Sequence, residues 1–328
     1  MFRLFLVLAG FFALTTGYAQ PKKAQDFGFR HLNLAFEQDP VNVLILSRPG
    51  EEQKKKPLFL YIQDELPIPL IIYDEQGAFG TFPFHTEELL QHYHLAIIGK
   101  PFIPVVAKVE ALQDDFTYHD PTTAAFPQEY QERNQAAYYL ARNLAVLAQL
   151  RTKTWISTNQ LVVAGHGEGS LLALQLAAAA PEVTHLIYSG GVPSEGGAVA
   201  GGIAKAWPDS VLRLERLTNS KADSLDSEQA NLSVQRSLPA ETPAELLLGL
   251  HKPVLVVWGS EAENAPSFSA LQKQADAHGT PTVRFLVFEG LTHHYFGNTP
   301  EGEIDYDSYH WDQVADAWLE WLRPASVK

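Results

Sequence analysis

The residues best placed to do chemistry lie in Val162-Val163-Ala164-Gly165-His166-Gly167-Glu168-Gly169-Ser170. An apolar run enters a Gly-x-x-x-Gly turn and leaves as a stretch rich in alanine and leucine. A strand that turns this sharply into a helix displays its central residue. Here that residue is Gly167, which has no side chain to react with. Ser170 starts one helical turn further on and is poorly placed to replace it. Ser189-Gly190-Gly191 follows another apolar run and is the alternative place for a nucleophile. Near the C-terminus, His293 precedes His294, and an imidazole there could bind a ligand or transfer a proton. His92 and His94 are two apart and, on a strand, would share a face able to hold a metal, with His85 nearby. No carboxylate at a telling spacing completes that set, so ordinary histidines are expected. No metal residue is assigned and no cofactor is expected. There is no cysteine, which excludes disulfides, thiolate metal sites and a cysteine nucleophile.

These residues need elements to hold them. Residues 27–36 and 41–46 read as a leading hairpin. Apolar runs at 58–62, 95–99, 161–164, 183–188, 254–258 and 283–288 read as buried strands. Helical spacing runs over 128–150, 168–180, 267–277 and 308–322. The last helix carries Trp311, Val314, Trp318, Leu319 and Leu322 on one face, with Asp305 and Asp307 placed to cap it. Apolar strands separated by helices predict an α/β fold, a mainly parallel sheet with helices on both faces. Residues 190–250 interrupt the rhythm and read as a cap or lid insertion.

The segment around Gly167 closely resembles the nucleophile elbow of the α/β-hydrolase superfamily, where the motif is Gly-x-Ser-x-Gly. Gly165 and Gly169 match, for a mechanical reason: the turn is tight and the helix packs closely on its neighbours. Gly167 stands where the family has serine. The resemblance extends in order over nearly all of residues 27–324 and implies the α/β-hydrolase fold. It places the family's acid at Ala262, after the 254–258 strand, and its histidine at His293, after the 283–288 strand. It places the oxyanion loop at Gln63, Asp64 and Glu65, with His166 and Glu168 flanking the elbow apex. His166 is common at its position in similar enzymes and implies structural support.

Three devices are therefore missing. Gly167 has no oxygen to deprotonate. Ala262 cannot orient a histidine. Asp64 and Glu65 bring negative charge where the family offers N–H donors to a developing oxyanion. A carboxylate at an assumed separation of about 5 Å from that oxygen would cost roughly 3 kcal/mol. Glu195, Glu261 and Glu263 could each supply a relocated acid, but solvent is the default for a loop glutamate. The expectation is a pseudoenzyme, a non-catalytic protein that binds a small molecule or a protein partner through the inherited pocket. The alternative is an ester or acyl hydrolase with altered chemistry. It would use His293 with Asp64 or Glu65 to activate water or bind a metal, or it would use a relocated nucleophile.

Composition agrees with a folded, non-nucleic-acid role. The chain has 328 residues, 46% apolar and 19% charged, enough for a sizeable core. With 24 Lys plus Arg against 38 Asp plus Glu, the net charge of −14 disfavours nucleic acid or anionic lipid as partner. Residues 1–19 read as an export signal: Arg3, a short apolar run, then Gly17-Tyr18-Ala19 as cleavage site. Residues 20–328 then form a single exported domain with no stable membrane anchor, in a bacterial periplasm or outside the cell.

Overall fold

The computed structural model describes residues 22–80, 82–193 and 242–323. The expected export signal, Glu195 and the central part of the expected cap lie outside these residues. The strands are β1 (Arg30–Phe36), β2 (Asp39–Leu46), β3 (Lys56–Ile62), β4 (Ile71–Tyr73), β5 (Ala78–Gly80), β6 (His94–Ile98), β7 (Val106–Lys108), β8 (Ile156–His166), β9 (His185–Ser189), β10 (Val254–Gly259), β11 (Val283–Phe288), β12 (Phe296–Asn298) and β13 (Ile304–Tyr309). The helices are α1 (Glu87–His92), α2 (Gln128–Arg133), α3 (Ala136–Arg151), α4 (Glu168–Ala179), α5 (Pro243–Gly249), α6 (Ala265–His278) and α7 (Trp311–Leu322).

Eight strands form one sheet in the order β1-β2-β6-β3-β8-β9-β10-β11. The β1–β2 hairpin is antiparallel, β2 runs antiparallel to β6, and every later pair is parallel. Side chains alternate across the sheet, because successive Cβ atoms point to opposite faces. Leu58, Leu60 and Ile62 join the core beneath α3, α4, α5 and α6. Phe59 and Tyr61 join the core beneath α1 and α7, where Trp318 is fully buried. From β3 the chain passes to β6 on one side and later to β8 on the other. The loops leaving the carboxyl ends of β3 and β8 therefore part company, and such a switch point opens a crevice at that edge.

Several expectations need correction. The helix expected over 128–150 is broken into α2 and α3 at Asn134, whose side chain accepts a hydrogen bond from the Tyr139 hydroxyl at 2.9 Å. Arg133, at the end of α2, reaches Asp39 at 2.9 Å, a partner 94 residues away that no local pattern reveals. The last helix starts at Trp311, because residues from Ile304 pair with β12 instead. Asp305 and Asp307 accordingly sit in β13, and His310 takes the cap position. Of the segment expected as a cap, only residues 190–193 and 242–250 are described. Residues 190–193 continue from β9, and α5 puts Ala244 and Leu247 into the main core. Among the described residues, no helix is long and apolar enough to cross a membrane.

Candidate functional site

β8 delivers His166 to the sheet edge and Gly167 turns the chain into α4. Gly167 has φ 55° and ψ −125°, a left-handed conformation that side chains with a Cβ resist. Its N–H donates to Ser189 O at 3.0 Å, which pins the apex to β9. The outer glycines are there for closeness. A Cβ on Gly169 would stand 2.5 Å from Ile62 O and 2.6 Å from Gln63 O, so α4 rests directly on the end of β3. Ser170 is fully buried and donates to Gly167 O at 2.7 Å, which makes it part of the turn. Position 167 is thus the apex of a sharp strand-to-helix turn.

The space above that apex is occupied. Asp64, two residues beyond β3, accepts backbone N–H bonds from Glu168 and Glu65 on the same oxygen, Oδ1, both at 2.9 Å. Those N–H groups follow the apex and line the β3 loop, the two places from which an oxyanion hole draws its donors. A Cβ at position 167 would lie 2.6 Å from Asp64 Oδ2 and closer still to Oδ1. The carboxylate therefore stands where a serine side chain would begin, and it uses both donors. A carboxyl oxygen thus meets both of those N–H groups directly. The positive end of α4 is where a carboxylate is favoured. Gln63 is buried and braces the loop by donating to Ile68 O at 3.2 Å.

The surrounding charges are coupled. Burial, then the Asp64 charge and a hydrogen bond to Asp64, push the Glu65 carboxyl up to about 9. Burial also raises Asp64 and Glu168, the latter opposed by Lys100. Lys100 is buried, which lowers its pKa against the pull of Glu168, Asp64 and Glu65, and its Nζ lies 5.1 Å from the Tyr139 ring centre. Glu65 holds its proton when folded and releases it at about 4.5 when unfolded. Between those values the folded state binds more protons, so the stabilisation is complete below pH 4.5 and drains away as the pH climbs to about 9. The Glu65→Gln variant should lack this alkaline decline. Unfolding free energies from urea melts at pH 7 to 9 should fall for the native chain by at most about 1.4 kcal/mol per pH unit and stay level for the variant. Parallel slopes would remove the shared proton.

Three imidazoles close the site. His166 Nε2 lies 3.2 Å from His294 Nδ1, and His166 Nδ1 lies 3.1 Å from Ser189 Oγ. Ser189 Oγ is 2.6 Å from the Tyr295 hydroxyl. The His293 ring centre is 4.7 Å from that of His166 and 4.5 Å from that of His294. Burial, then the neighbouring His294, push the His293 imidazole down to about 3, and burial pushes His166 well below its usual range. Both rings are therefore neutral at pH 7. Asp64, His166, His293 and His294 each bring one possible ligand atom, all within 4.8 Å of one another. This cluster is separate from the His85, His92 and His94 set that the sequence offers. Tyr295 is the residue here that the sequence does not single out, and nothing local links Ser189 or His294 to His166. The adjacent His293-His294 pair was the only signal available.

The other expected residues are elsewhere or inert. Ala262 is buried in the turn after β10, with its N–H on Gly259 O at 3.1 Å. Nearby Asn264 donates to Gly190 O and Gly191 O, at 3.1 and 2.8 Å. Glu261 and Glu263 are exposed, as a solvated loop requires. Ser189 is fully buried beneath the histidines, with its Oγ against His166 and Tyr295. His92 and His94 do not share a face. His92 ends α1 beside Glu88, whereas His94 is wholly buried between Ser47 Oγ at 2.7 Å and Lys54 O at 2.8 Å. Two surface hollows of about 580 and 560 Å³ lie away from this site, one against α7 near Arg323 and one between α5 and α6 near His278.

No protein-family model matches the chain, and no curated protein does. Solved structures do. An acylaminoacyl peptidase from Pyrococcus horikoshii is 12% identical with a TM-score of 0.54, over 89% of this chain and 41% of the peptidase. Dipeptidyl peptidase 4 from Porphyromonas gingivalis is 11% identical with a TM-score of 0.54, over 90% of this chain and 35% of that enzyme. Est1E from Butyrivibrio proteoclasticus is 17% identical with a TM-score of 0.50, over 89% and 97% of the two chains. This chain spans well under half the length of the two peptidases and nearly all of Est1E. At such low identity the likeness establishes architecture. With the sheet order and the elbow geometry, it shows that this chain has the α/β-hydrolase fold.

Proposed function

We propose that this chain is an exported pseudoenzyme: an α/β-hydrolase fold that has given up serine hydrolysis and recognises a small molecule or a protein partner around its former catalytic centre. One observation carries the reading. The Asp64 carboxylate occupies the nucleophile's space and accepts both N–H donors that would stabilise a tetrahedral intermediate. Losing one such donor typically costs 10²–10³ in rate, and here neither is open to a substrate oxygen. The absence of a hydroxyl at Gly167 and of a carboxylate at Ala262 points the same way. The mature protein is expected to leave an aryl ester such as p-nitrophenyl acetate at the buffer rate and to take no label on serine from a fluorophosphonate. Turnover well above buffer, abolished by His293→Ala, would overturn the proposal.

A second reading is favoured by one specific observation, the convergence of Asp64 with His166, His293 and His294. In it the carboxylate and an imidazole activate water without any serine. It expects hydrolysis that a fluorophosphonate does not block and that Asp64→Asn and His293→Ala each remove.

A further inference from the structure

We propose that Asp64, His166, His293 and His294 form a binding site for one divalent transition-metal ion of the zinc type. The four come from three separate loops and strand ends, after β3, β8 and β11, and their possible ligand atoms lie within 4.8 Å of one another. Three imidazoles and a carboxylate are a donor set that suits zinc and its neighbours and not calcium or magnesium, which prefer oxygen alone. Zinc bonds of about 2.0–2.1 Å at tetrahedral angles set ligand atoms roughly 3.3 Å apart. His166 Nε2 and His294 Nδ1 already stand at 3.2 Å. The remaining pairs close by an ångström or so as the ion draws them in.

The outer partners fit as well. A metal-bound histidine is normally held by a hydrogen bond at its other ring nitrogen, which fixes the tautomer. His166 Nδ1 has such a partner in Ser189 Oγ at 3.1 Å, and that hydroxyl leans in turn on Tyr295 at 2.6 Å. With the proton on Nδ1, Nε2 keeps its lone pair facing the cluster. The Asp64 carboxylate is likewise oriented by two backbone N–H groups on Oδ1, which leaves Oδ2 as the ligating oxygen. Without metal, the His166–His294 pair is held by a single N–H···N bond. On binding, the ion takes both lone pairs and His294 carries its proton on Nε2. Four protein ligands complete a tetrahedron, so the ion has no open position for substrate and serves to hold the site's shape.

This site rests on the same residues as the proposed function but not on the loss of hydrolysis. A chain that bound no metal could still be inert, and one that split esters could still bind zinc. The test uses the purified, untagged mature chain, stripped with dipicolinate and titrated with Zn²⁺ by calorimetry and with Co²⁺ by visible absorption. The expected result is one ion per chain, an intense tetrahedral cobalt spectrum and a higher melting temperature with zinc. His294→Ala alters an exposed residue, so it should fold normally while weakening zinc binding by more than about tenfold. His92→Ala should leave it unchanged. Failure of the native chain to bind either ion would overturn the site, and so would equal affinity in the native and His294→Ala proteins.

Discussion

Gly167→Ser alone is expected to produce a protein no more active than the native chain and less stable. The new Cβ would fall 2.6 Å from Asp64 Oδ2 and nearer to Oδ1, so the carboxylate must leave the Glu168 and Glu65 N–H groups. Serine would also have to hold φ near 55°, a strain of roughly 1–3 kcal/mol. Together these should lower the melting temperature by about 2–10 °C. The oxyanion donors remain compromised as long as the carboxylate has nowhere else to go. Gly167→Ser with Asp64→Gly removes the obstruction and frees both donors, an expected gain of about 10²–10³ in ester hydrolysis over the single variant. Adding Ala262→Asp restores a group to orient His293, and because such residues act as a unit the triple variant should exceed both. Calorimetric melting and p-nitrophenyl acetate turnover across the series check this. Full activity from Gly167→Ser alone would mean that Asp64 does not block the site.

The second large effect is structural. Gly165→Ala places a Cβ 2.7 Å from Ser170 N and closer still to Gly169 O. Both obstacles are backbone, so no side chain can swing aside. The first turn of α4 must move off β8, and with it Gly167 and the Glu168 N–H that holds Asp64. We expect a loss of about 3 kcal/mol, at the upper end for overpacking, seen as an earlier urea midpoint. Gly249→Ala is the control. Nothing lies within 4 Å of its added Cβ, and it should be neutral. Equal midpoints for the Gly165→Ala variant and the native chain would show that the elbow is looser than its contacts imply.

Much of the fold was legible because it rests on short-range patterns. The run at 58–62 reads as a buried strand and is one, since β3 is covered on both faces and needs no alternation. The run at 254–258 became β10 for the same reason, whereas 283–288 became β11, an edge strand that is only partly buried. The short strands β4, β5 and β7 escaped notice, because three-residue segments carry too little periodicity to register. Helix ends failed wherever a distant partner intervened, as at Arg133 with Asp39.

The amino-acid order alone determined the alternation of strands and helices, the tight glycine turn at 165–169 and the residue types at 167 and 262, a glycine and an alanine. Each is a matter of residue type or of local burial period. Only the tertiary structure decided what stands over the glycine turn. Asp64 meets Glu168 across 104 residues of chain and His166 meets His294 across 128, because β3, β8 and β11 end at one edge of the sheet. That convergence depends on strand order, which no local pattern encodes, and so the Asp64 carboxyl group over the Gly167 turn and the histidines around it became visible only in three dimensions.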